Sequence, residues 1–163
     1  MVGPRLDAKV LTVSDGVAEG VRDDTSGLAL VARLDAAGFD VLEHRVSADG
    51  VEAVADALRD LTRGFAGLVV TTGGTGFGPR DLTPEGTRAV VERDAPGLAE
   101  AMRRASDGAG RGFGMLSRGV CGTVGVALVC NLPGSSSGAL ECLDAVLGAV
   151  PHALDLLAGG RPH

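Results

Sequence analysis

Two spacings of apolar residues alternate along this chain: short unbroken runs, and positions that recur every third or fourth residue. Lys9–Ser14 (KVLTVS) is a β-branched run closing on turn residues, which predicts a first strand. A helix is predicted over Gly27–Ala37, with Leu28, Val31 and Leu34 on one face, Ser26 as N-cap and Gly38 as its stop. Asp40–Val46 reads as a second strand. Val51, Val54, Ala55, Leu58 and Leu61 return at helical spacing, and Gly64 closes that helix. Gly67–Thr72 (GLVVTT) is apolar throughout, as a strand covered on both faces must be.

Beyond a glycine-rich loop, Thr83-Pro84-Glu85 opens another helix, with Thr83 as N-cap and Pro84 at the first helical position. Leu98–Arg104 predicts a further short helix, and Gly108–Gly114 is the least regular stretch, a loop or a small hairpin. Val124–Cys130 (VGVALVC) reads as the second all-apolar strand and Asn131–Ser137 as its exit loop. Helical spacing then runs on from Ala139, interrupted at Pro151. Alternating strands and helices predict an α/β fold with a parallel sheet between helices. Ligands in such sheets bind beyond the carboxyl ends of the strands. Three loops fall at those ends, 14–26, 73–81 and 131–137, and they are expected to converge. No repeat or linker divides the 163 residues, which fit one domain.

Composition narrows the function. Four Phe with no Tyr or Trp leave an aliphatic core and few platforms for stacked bases, and a net charge of −6 opposes a nucleic-acid-coating surface. No apolar run approaches the roughly 20 residues that span a bilayer, and no signal-peptide pattern opens the chain. Cys121, Cys130 and Cys142 are odd in number with no C-x-x-C spacing, and Cys130 lies in an apolar run, so a reduced, buried thiol there and a cytoplasmic location are expected. His44, His152 and His163 form no pair at zinc-ligand spacing.

The loop after the third strand packs four glycines into Gly73-Gly74-Thr75-Gly76-Phe77-Gly78, where backbone N–H groups can turn toward an anion. It is not a P-loop, because Pro79 and Arg80 follow where Lys and Ser or Thr belong. Nor is it a dinucleotide fingerprint, since Gly74-x-Gly76 fails at Pro79. On the loop alone, a phosphate cradle and a tight turn both stand. Asp15, Asp24, Asp49 and Asp81 sit at strand ends beside it, Asp49 where an N-cap carboxylate is common; together they would repel a phosphate unless a cation such as magnesium intervened. Arg80 is either a phosphate partner or a solvent-facing side chain. Gly134-Ser135-Ser136-Ser137-Gly138 matches the G-x-S-x-G nucleophile elbow, with Asp144 and His152 following in hydrolase order. Those two are only eight positions apart, and no later strand brings them back to Ser136.

Three ordered segments resemble the Mog/MoaB family of molybdopterin-binding proteins and molybdopterin adenylyltransferases. They are Val13-Ser14-Asp15 with Asp24-Thr25-Ser26-Gly27, Thr71–Gly76 with Arg80–Glu85, and Asn131-Leu132-Pro133-Gly134-Ser135. Pro96-Gly97, Met102-Arg103, Ser106 and Leu116-Ser117-Arg118 also look like family positions. The resemblance implies one molybdopterin-binding domain over residues 1–163, a three-layer α/β sandwich with a mostly parallel central sheet, forming a homotrimer. It implies Mg2+, with ATP and molybdopterin as substrates, AMP transfer to the molybdopterin phosphate, and possible contacts with other cofactor-assembly proteins. It places catalytic carboxylates at Asp49 and Asp81, metal contacts at Asp15, Asp49 and Asp81, and ligand contacts at Ser14, Asp15, Gly73, Gly74, Thr75, Gly76 and Ser135. A member that binds molybdopterin without catalysis is the alternative. Two departures stand out: Ala48 precedes Asp49 where catalytic members typically carry proline, and Ser136 follows Ser135 where the family often has proline.

Overall fold

The computed structural model describes residues 3–106 and 110–161. Its centre is a six-stranded sheet. β1 (Leu6–Val13) is flanked by β2 (Phe39–Ser47) on one side and β3 (Leu68–Thr72) on the other. β6 (Ala127–Leu132), β5 (Cys121–Val124) and the two-residue β4 (Arg93–Asp94) continue the sheet beyond β3. β2, β1, β3 and β6 are parallel; at the far edge β5 pairs antiparallel with β6, and β4 antiparallel with β5.

The pleat sends alternate residues of each strand to opposite faces. Ala8 and Val10, Leu68 and Val70, and Leu128, Cys130 and Leu132 pack under one helical layer. That layer is α2 (Thr25–Ala36), α5 (Pro96–Ala105), α6 (Ser136–Leu147) and α7 (Val150–Leu157). Leu11, Val13, Val69 and Val129 face the other way, against Val54, Ala57, Leu58 and Leu61 of α3 (Val51–Thr62). Each fully buried leucine here contributes about 1.5–3 kcal/mol relative to exposure. α4 (Thr83–Arg88) packs on α3 so closely that a Cβ on Gly86 would lie 2.7 Å from the Val54 Cβ. The three-layer α/β arrangement is the one expected.

Several boundaries differ from the sequence reading, each for a local reason. Asp24, not Ser26, caps α2, accepting from the Gly27 N–H at 2.9 Å. Leu82 occupies the N-cap position of α4, because the Thr83 hydroxyl donates to the Gly73 carbonyl instead. α6 begins at Ser136 rather than Ala139, with Ser135 as its N-cap. The apolar run Val124–Cys130 is not one strand: Gly125, at φ +57°, turns the chain between β5 and β6. In the irregular stretch, Gly108 lies outside the described residues, as does His163; Phe113–Leu116 forms a 3₁₀ turn rather than a hairpin. α6 ends at Leu147, and Pro151 sits in the first turn of α7. Among the described residues no helix is long and apolar enough to cross a membrane.

Candidate active site

β1 and β3 are neighbours, yet the sheet grows to β2 on one side of them and to β6 on the other. The chain therefore parts at their carboxyl ends, leaving the crevice where open α/β sheets bind ligands. A cavity of about 540 Å³ opens there. Its wall includes Ser14, Asp24, Asp49, residues 72–76, Asp81 and residues 133–135, so the three predicted loops do converge.

Glycine is required at the cavity floor. Gly73 has φ +104° and a Cβ there would lie 2.3 Å from the Val13 carbonyl oxygen; at Gly74 (φ +68°) it would meet Thr83 Oγ1 at 2.2 Å. Thr75 and Gly76 complete the strip. Ser14 caps α1 (Asp15–Ala18), accepting from the Val17 N–H at 3.2 Å, and Ser135 caps α6 in the same way from Gly138 at 3.2 Å. Each hydroxyl uses a lone pair for its helix and keeps its O–H to donate.

Asp49 and Asp15 hold one another. The Asp15 N–H donates to Asp49 Oδ2 at 2.9 Å and the Asp49 N–H to Asp15 Oδ1 at 3.1 Å. Gly50 occupies the N-cap position of α3, so Asp49 is not the helix cap expected. Asp49 Oδ1 accepts no hydrogen bond among the described residues. Burial pushes the Asp49 carboxyl above the usual carboxylate range, with Asp15 and Asp81 adding to the rise against the Asp15 N–H. Asp15 behaves in the opposite sense. Arg80 grips both its oxygens, at 3.0 and 3.1 Å, and holds its carboxyl below the usual value. Asp15 is not on the cavity wall, and Arg80 also donates to the Asp49 carbonyl at 2.9 Å. Arg80 thus faces neither solvent alone nor the cavity.

Asp81 lines the same cavity, near enough for its charge to act on Asp49. Its Oδ2 accepts from Gly78 N–H at 2.8 Å, and Oδ1 has no partner among the described residues. With Asp23, Asp24 and Asp49 it makes the wall acidic; Arg22 is the only basic residue on that wall among those described. Asp24 is engaged by the Thr12 hydroxyl at 2.8 Å and by His44 Nε2 at 2.8 Å. No three ligating groups assemble as a metal cage among the described residues. The uncommitted oxygens of Asp49 and Asp81 suit instead a hard cation shared with phosphate oxygens, the usual manner of magnesium.

The sequence reading gave no role to a supporting layer of polar groups. Buried Asn131 donates to Thr71 and Thr87 hydroxyls at 3.0 and 2.9 Å and accepts from the Val120 N–H at 3.0 Å. Thr72 donates to the Pro133 carbonyl at 2.7 Å, tying the loops after β3 and β6 together. A second cavity of about 380 Å³ adjoins the first and shares Phe113, Ser117, Pro133 and Ser135 with it. The hydrolase alternative fails: Asp144 is ion-paired with Arg33 at 2.8 Å on the surface, and His152 is exposed on α7. All three cysteines are free and buried. A hydrogen bond with the Cys121 thiol and burial raise Cys130, and burial pushes Cys142 up to about 11.

Fold and site together define an α/β protein that gathers a glycine strip and two carboxylates at the switch point of its sheet. Residues 9–152 match the probable molybdopterin binding domain, and the chain belongs to that family. The molybdopterin adenylyltransferase of Helicobacter pylori J99 is 37% identical over 153 residues, covering 92% of this chain and 86% of that protein. The molybdenum cofactor synthesis protein cinnamon of Drosophila melanogaster is 36% identical over 156 residues; the chain spans only 25% of its length. The molybdopterin biosynthesis enzyme MoaB of Thermus thermophilus superposes with a TM-score of 0.85 at 42% identity, covering 96% of this chain and 98% of that one.

Proposed function

We propose that this chain is a molybdopterin adenylyltransferase of molybdenum cofactor biosynthesis, transferring AMP from ATP to the molybdopterin phosphate and releasing pyrophosphate. The observation that carries this reading is the placement of Asp49 and Asp81, delivered after different strands to the wall of one glycine-floored cavity. A relative bearing that activity in its name aligns over nearly the whole chain.

In the reaction, a molybdopterin phosphate oxygen attacks the α-phosphorus of ATP. The bond to the pyrophosphate oxygen breaks and its electron pair leaves with pyrophosphate. A phosphate monoester is largely ionised near neutral pH, so no strong base is required. The protein supplies position and charge. Backbone N–H groups of Gly74, Thr75 and Gly76 and the hydroxyls of Ser14 and Ser135 face the phosphates, and the adjoining cavity with Arg103 and Ser106 accepts the second substrate. Magnesium arriving with ATP would neutralise phosphate charge, held by the free oxygens of Asp49 and Asp81. The working form is a homotrimer in the cytoplasm, checked by sedimentation and by fractionation.

Purified chain, molybdopterin and Mg-ATP should yield adenylylated molybdopterin and pyrophosphate in equal amounts. Molybdopterin binding with no product under any divalent metal would assign the non-catalytic role instead.

A further inference from the structure

We propose that Arg118 is a positioning residue for Asp81, a clasp across the glycine loop; its catalytic consequence rests on the adenylyl-transfer reading. Arg118 follows the 3₁₀ turn, far from the loop in sequence. Its Nε donates to the Gly76 carbonyl at 2.8 Å and its Nη2 to the Asp81 carbonyl at 2.6 Å. Nη1 donates to the Glu85 carboxylate in the first turn of α4, and the Arg118 N–H reaches the Thr75 carbonyl at 3.0 Å. Gly76 and Asp81 bound a segment without regular structure, and one rigid guanidinium fork holds both carbonyls. The width of the loop is thereby set.

The Asp81 carboxylate lies inside that width. A Cβ on Gly76 or Gly78 would stand 3.0 or 2.8 Å from Asp81 Oδ2, so the carboxylate direction follows the loop's shape. Arg118 itself is on neither cavity wall. Lysine cannot replace it, since a single ammonium cannot span two carbonyls and a carboxylate. Removing Arg118 alone also strands Glu85, whose Oε2 is buried with no hydrogen-bond partner. The informative variant is therefore Arg118→Met combined with Glu85→Gln, beside Arg118→Lys.

Both variants and the parent are compared by amide hydrogen exchange without ligand, by kcat and KM for ATP, and by Tm. Losing charge-assisted hydrogen bonds should speed exchange at the Gly78 and Asp81 amides by about tenfold or more. Exchange in β3 and β6 should stay unchanged. A carboxylate displaced by an ångström should lower kcat about a hundredfold with little change in KM for ATP. Arg118→Lys should behave as the double variant does. Unchanged loop exchange, or faster exchange with parental kcat, overturns the clasp; so does a kcat loss that merely tracks Tm. If the parent itself forms no adenylylated product, the functional reading fails, and the exchange data still decide whether the clasp exists.

Discussion

Asp49 follows a nine-residue strand and trades backbone hydrogen bonds with Asp15, whereas Asp81 sits at the end of an irregular loop and leans on its own Gly78 amide. The first is placed by the register between β1 and β2; the second is placed by its own loop's backbone and by the Arg118 clasp. Placement through the sheet brings burial with it, so Asp49 holds its charge at a cost that its neighbour Asp15, paired with Arg80, does not bear.

The sharpest test removes each carboxylate. Asp49→Asn and Asp81→Asn should each lower kcat about 10²–10³-fold in the adenylylation assay. Their stabilities should then part company. A raised carboxyl pKa contributes stability below the unfolded value of 3.8 and loses it as pH rises through the higher folded value. Asp49→Asn should therefore be at least as stable as the parent at neutral pH in urea titration, and lose that margin below pH 3.8. Asp15→Asn should do the reverse, because its lowered pKa stabilises the fold above 3.8 and fails as pH falls through the folded value.

Gly74 is where the two regions touch. Gly74→Ala would place a methyl 2.2 Å from Thr83 Oγ1 and 3.2 Å from Asp49 Oδ1. A loss of about 1–3 kcal/mol in urea unfolding is expected, together with reduced kcat. A smaller effect is expected at Glu85, whose carboxyl Arg118 holds below its ordinary 4.5. Its stabilising share is complete above 4.5 and fades as pH drops through the folded value, so Glu85→Gln should flatten the acid limb of the stability profile. The smallest change is Ser136→Pro. Ser136 is the first residue of α6, where proline fits, and a gain of about 0.4–1 kcal/mol should appear in Tm and urea midpoint.

β1, β2 and β3 are readable because each is a run of its own followed by a helix. The antiparallel edge is not: β4 has two residues and β5 four, and an apolar run hides the reversal at Gly125. Both Asp24 and Ser26 are able caps, and the choice between them depends on Thr12 and His44, which anchor Asp24 from neighbouring strands. At the site, Asp49, Asp81, Ser14, Ser135 and the glycines were legible through motif likeness, and the structure brings all of them to one cavity. The diversion of Asp15 to Arg80 spans 65 positions, and the grip of Arg118 on Gly76 spans 42. No local pattern carries such pairings.

The order of strands also fixes when the site comes into being. β6, the last strand in sequence, inserts between β3 and β5, and it brings the Leu132 carbonyl to the Gly73 N–H at 3.2 Å and the Pro133 carbonyl to Thr72. A nascent chain can carry both carboxylates and the whole glycine strip while the cavity still lacks its third wall. Closing such long-range pairings is slow relative to local helix formation. Binding competence should thus switch on in one late step, and a fragment ending before β6 should hold every proposed carboxylate yet bind neither substrate.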